Sequence, residues 1–209
     1  MPTVRISENT TRDFTGVDDA GSNVSTPTTP AGSATSFVCS GFGDEIGFLR
    51  FQGLSNIDSG ATVTAVTIGL TKNNVTAAGS VAFKPLLRAW VEAELTHNVY
   101  STGNSWQTAG GSGALDSEAA SATLTCDTAA ATVTFSDAAL LADVQDFISG
   151  AQANEGWRLT HTSDYAGFVS SEGADGSRPY IDVTYTGGGS SASPPPRPQS
   201  TRIAPLMFY

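Results

Sequence analysis

The chain has 209 residues, with 22 glycines, 2 lysines and 14% charged residues, enough for one domain with a sizeable core plus a tail. All 20 acidic residues precede Gly187, whereas Arg197 and Arg202 follow it, so 8 basic residues meet 20 acidic ones in the body, a charge of −12 against +2 beyond it. That balance excludes a phosphate footprint on nucleic acid and disfavours an anionic membrane surface.

Alternation of apolar and polar residues dominates, with turn residues every eight to twelve positions. Thr3-Val4-Arg5-Ile6 reads as a first strand, followed by loop chemistry at Asp18 to Ser22 and Pro27 to Pro30. Strands are predicted over Thr35 to Cys39 and Ile46 to Leu54, around the turn Gly41-Phe42-Gly43-Asp44. In Thr62 to Thr71, strict alternation sends Val63, Ala65, Thr67 and Gly69 one way and Thr64, Val66, Ile68 and Leu70 the other. Val81 to Val91 continues the pattern, with Phe83, Leu87 and Trp90 as expected core.

A Gly/Ser-rich excursion spans Ser101 to Glu118, and strands resume at Ala122 to Cys126, Thr132 to Phe135, Gly156 to Thr162, Gly167 to Ser171 and Tyr180 to Thr186. Between them Leu140, Leu141, Val144, Phe147 and Ile148 recur at helical spacing, with Ser136 as N-cap and Gly150 as stop. The expectation is an all-β, antiparallel sandwich over residues 1–186 with one short helix plugging an end. Residues 187–209 are expected to form an extended C-terminal arm, a Gly/Ser link and then the stiff Pro194-Pro195-Pro196-Arg197-Pro198. Its tip carries Ile203, Leu206, Met207, Phe208 and Tyr209, side chains that each gain roughly 1.5–3 kcal/mol on burial. With Arg197 and Arg202 they are the candidate assembly residues, docking on an acidic neighbour or a second copy of the chain.

Two cysteines, Cys39 and Cys126, read as buried thiols, with a single disulfide as the alternative. No apolar run follows Met1 and none reaches the roughly 20 residues of a membrane span; the expectation is synthesis in the cytosol without export by the usual signal.

Chemistry-bearing motifs are sparse. His97 and His161 have no G-x-S-x-G elbow to serve, and Gly41 to Gly47 precedes a strand rather than a helix, so it is a turn and not a phosphate cradle. Glu92 and Glu94, read as neighbours about 7 Å apart on one strand face, cannot flank a glycosidic bond from opposite sides. Asp18, Asp19, Asp44 and Glu45 read as solvated loop charge; calcium is the one cofactor they could hold by converging at one end, although no calcium-loop spacing is present. Trp90 and Trp157 are expected in the core. Trp106, in the Gly/Ser excursion, and Tyr100 are the candidates for contact with a glycan through an exposed ring.

Three stretches carry a family likeness. Phe48-Leu49-Arg50-Phe51 with Ser59 to Leu70, Arg88 to Thr96 with Ser101 to Gly111, and Ser171-Glu172 through Arg178-Pro179-Tyr180 to Tyr185 together resemble the DNRLRE-type β-sandwich domains, with Ala93 and His97 where those carry Gly and Trp. The resemblance implies a jelly-roll-like, non-catalytic module, carbohydrate-binding or adhesive, of the kind found in surface proteins and in phage virions. The functional expectation is a structural or adhesive virion protein, a head decoration or a tail-associated unit. It would be bound to other virion proteins and to copies of itself, with cell-surface polysaccharide as a further partner. The alternative is a stand-alone carbohydrate-binding module on a bacterial surface or in a secreted assembly.

Overall fold

The computed structural model describes residues 1–75, 78–126 and 131–188. Its strands are β1 (Thr3–Ser7), β2 (Val17–Asn23), β3 (Ser36–Ser40), β4 (Glu45–Phe51), β5 (Ala61–Val75), β6 (Gly79–Pro85), β7 (Val99–Ser101), β8 (Asn104–Ser105), β9 (Ala122–Cys126), β10 (Thr132–Phe135), β11 (Trp157–His161), β12 (Tyr165–Val169) and β13 (Tyr180–Gly187), with one helix, α1 (Ala138–Ser149). The strands form an antiparallel sheet in the order β1-β13-β5-β12-β3, with β10 also on β5, a second in the order β2-β4-β11-β6-β9, and a small β7-β8 hairpin. From β1 to β6 each strand joins the sheet opposite to its predecessor, the crossing connectivity of a jelly-roll-like sandwich. The fold is all-β with one short helix, as expected. Among the described residues no helix is long and apolar enough to cross a membrane.

β5 is the hub of the first sheet, and its alternation is broken once. Thr184 faces Ala65 but Tyr185 faces Val63, so Thr64 is an extra residue opposite β13. The bulge resets the phase. Ala61 and Val63 point into the core on one side of it, and Val66, Ile68 and Leu70 on the other. Strict alternation had placed Val63 and Val66 on opposite faces, because a bulge leaves no mark on a binary pattern.

The main core lies between the sheets: Phe37, Leu49, Phe51, Ile68, Phe83, Phe135, Trp157, Phe168 and Ile181 are all buried there. Helix α1 adds Leu140, Val144, Phe147 and Ile148. Its N-cap is Asp137, whose side chain accepts from Ala139 N–H at 2.8 Å. Ser136, the predicted cap, instead donates to Val66 O at 2.8 Å, while Gly150 ends the helix in the left-handed region at φ 78°.

The second sheet is covered on its outer face too. Ile46 and Phe48 of β4, with Ala20 of β2, meet Leu86, Trp90, Leu95 and Trp106 in a separate apolar cluster. A strand buried on both faces reads as a continuous apolar run, as Ile46 to Leu49 does. Two predicted boundaries change. β6 stops at Pro85, which leaves Leu87 41% exposed instead of in the core. Asp18 to Ser22 is strand rather than loop, because the carboxylates that suggested a turn are tied down from elsewhere in the chain, Asp18 by the Arg50 side chain and Asp19 by the Ser171 N–H. Cys39 and Cys126 are both buried and no disulfide joins them.

Candidate functional site

The excursion after β6 is an ordered cover. Asp116 is fully buried and accepts from the N–H groups of Gln107 (2.9 Å), Thr108 (2.9 Å) and Gly113 (3.3 Å), with Arg88 Nε at 3.4 Å. One carboxylate thereby gathers the turns that seat Trp106. The indole lies 5.5 Å from the Phe48 ring at 17°, stacked, and donates Nε1–H to Thr96 O at 3.1 Å. It is 5% exposed, which corrects the expectation of an exposed platform for a glycan: burial over β4 is favoured over exposure in a polar loop. Tyr100 is half-buried, its ring 5.3 Å from Trp106 and under Arg88 at 5.7 Å. Trp90 and Trp157 are in the core as expected, with Nε1–H donated to Glu155 O (2.8 Å) and Asp143 Oδ2 (2.7 Å).

The predicted acidic set does not converge as a whole. Asp18 pairs with Arg50 at 2.6 Å and also accepts from Gln52, Asp44 accepts from Ser40, and Glu45 accepts from Asn23 at 3.0 Å. Glu94 caps Thr102 N–H at 2.7 Å, in a turn rather than on a strand beside Glu92. Asp19 separates from its neighbours and joins two glutamates that no carboxylate spacing connects to it: one oxygen each of Asp19, Glu92 and Glu172 lie within 4.8 Å of one another.

Three distant segments build this cluster. β2 is an edge strand, so Asp19 N–H is not used by the sheet and donates to Glu92 Oε1 at 2.7 Å. Asp19 Oδ2 accepts from Ser171 N–H at 2.7 Å, and Ser171 Oγ donates to Glu172 Oε1 at 2.8 Å. Burial pushes Asp19 well above the usual carboxylate range, with the charges of Glu172 and Glu92 adding to it. Burial also pushes Glu92 up, to about 7, with Glu172 and Asp18 adding and Arg50 opposing. Sequence reasoning missed Glu172 as a site residue; its place in the Ser171-Glu172 motif was the one signal pointing at it.

A groove of about 340 Å³ runs along the other end of β2 and β3, lined by Asn23, Ser25, Val38, Asp44, Glu45, Tyr165 and Gly167. His97 and His161 are buried packing residues, far from the exposed setting that a proton shuttle needs. The arm residues Arg197, Arg202, Ile203, Leu206, Met207, Phe208 and Tyr209 lie outside the described residues. Compared with known families and curated proteins, the chain matches no family model and no curated sequence.

Proposed function

We propose that the chain is a non-catalytic structural or adhesive unit of a phage-type virion, a head decoration or tail-associated protein, joined to its neighbours through residues 187–209. The observation that carries the reading is the root of the arm. β13 lies between β1, which pairs it over Tyr180–Thr184, and β5, which keeps Thr186 and Gly187 in register with Thr62 and Ala61, so the link leaves from a strand still paired with β5 at its last residue. A rooted arm with an apolar tip and two arginines, on a body of charge −12, suits docking on another acidic copy or on a particle. Burying three tip side chains in a neighbour is worth roughly 5–9 kcal/mol, enough to offset much of the ordering entropy of a short segment.

Mass photometry of the full chain against a chain ended at Gly188, each alone and with particles, tests this. The full chain should self-associate or bind particles and the shortened one should do neither; if both stay monomeric and neither binds, the assembly reading is lost.

The second reading, a carbohydrate-binding module, is favoured by the groove beside Tyr165. There a partly exposed ring stands next to Asn23, Asp44 and Glu45, an arrangement able to stack on a sugar and accept from its hydroxyls. A glycan array with the body alone separates the two readings.

A further inference from the structure

We infer that Asp19, Glu92 and Glu172 bind a divalent cation, calcium by its chemistry, that ties strand β2 to two turns at the edge of the sandwich. Three carboxylates meet here, and each keeps one oxygen outside the hydrogen bonds that position it. Asp19 Oδ2 is held by Ser171, Glu92 Oε1 by Asp19 N–H and Glu172 Oε1 by Ser171 Oγ.

The second oxygen of Asp19 points to a ligand. Asp19 is 1% exposed, and its Oδ1 is shut off from solvent without a hydrogen-bond partner. Asp19 is one of the three carboxylates that each bring an oxygen to within 4.8 Å of the other two, so this unpartnered oxygen sits on a member of the cluster itself. A buried carboxylate oxygen with nothing to accept from carries a desolvation cost that a cation would relieve. Among the described residues no arginine forms an ion pair with these three carboxylates: Arg50, which acts on Glu92, is committed to Asp18 at 2.6 Å and to Glu155 at 2.8 Å.

Geometry and donor type choose the ion. Oxygens bound at about 2.4 Å to one calcium are at most about 4.8 Å apart, and the three carboxylates meet within 4.8 Å. An all-oxygen set drawn from one strand and two turns suits calcium's flexible shell better than magnesium's strict octahedron, and it lacks the nitrogen and sulfur donors that zinc prefers. The frame is also supported from behind. Gly32 backs onto Glu92 so closely that a Cβ would lie 2.1 Å from the Glu92 carbonyl oxygen, and Ser170 is bonded to Thr35 O at 3.1 Å and Ala34 O at 2.6 Å. Residues 32–35 thus bridge the Glu92 turn and the Glu172 turn.

The test uses the full chain stripped with chelator, calcium titrated by calorimetry and by thermal melting, and the variants Glu172→Gln and Asp19→Asn. Wild type should take up one calcium per chain and melt higher with added calcium, reversibly with EDTA. Glu172→Gln, an exposed position at which folding should survive even if Asp19→Asn fails, should weaken binding at least about tenfold. Two results overturn the inference. One is no saturable uptake of calcium or magnesium up to about 10 mM, beyond the weak end of protein calcium sites, whatever the melting point of Glu172→Gln. The other is unchanged calcium affinity in Glu172→Gln, which would place any binding elsewhere. Neither result bears on the arm.

Discussion

His97 and His161 each bury a ring nitrogen, Nδ1 and Nε2 respectively, that has no hydrogen-bond partner. Burial lowers the affinity of both for a proton; the charge of Arg158 adds to this at His97, while Asp164 opposes it at His161. Unfolded imidazoles take up protons near the ordinary 6.5 and the folded ones only below it, so stability present above 6.5 is lost as pH falls through the folded values. Denaturant unfolding at about pH 7.5 and about pH 5.5 should show wild type losing stability relative to the His97→Asn/His161→Asn variant over that interval. A difference that does not change with pH would show that the rings titrate alike in both states.

The same scale shows where sequence reading stops. Trp90 and Trp157 were legible as core because strand alternation marks the face they occupy. Trp106 was not: its local context is glycine and serine, and what buries it is Phe48, 58 residues earlier. Asp19 gave the same difficulty, since its partners Glu92 and Ser171 are distant in sequence and adjacent only in the folded chain.

Among the elements, the cover over β4 depends on one buried side chain. Replacing Asp116 with alanine would leave the N–H groups of Gln107, Thr108 and Gly113 without their acceptor. At about 1–3 kcal/mol for the buried donor of Gly113 and less for the part-buried ones of Gln107 and Thr108, the cost should reach roughly 2 kcal/mol or more. Since Asp116 seats the turns around Trp106, Asp116→Ala should also shift tryptophan emission to the red while far-ultraviolet circular dichroism, set by the two sheets, changes little. Unchanged emission would mean that Phe48 and Thr96 hold the indole without the loop. Elements with a clean period, β5 and α1, were readable to within a few residues. The strand β2 was hidden because Asp and Gly rarely favour strands, and it is stabilised by Arg50, Gln52 and the Glu92 turn rather than by its own propensity.

In the molecule as a whole, the division of labour follows from charge and topology. The sandwich buries most of its aromatic residues and carries the chain's 20 acidic residues, while in the sequence two arginines and the apolar Ile203, Leu206, Met207, Phe208 and Tyr209 follow Gly187. The strand feeding the arm is central, with β1 on one side and β5 on the other. An arm attached to an edge strand could be peeled away one rung at a time. Traction applied here along the β13 axis loads the β5 rungs of Tyr185 to Gly187 and, with them, the rungs of Tyr180–Thr184 that β1 and β5 share on both flanks. Such a tether should resist tearing well beyond what the overall thermodynamic stability suggests, because rupture under load is governed by the barrier to unfolding.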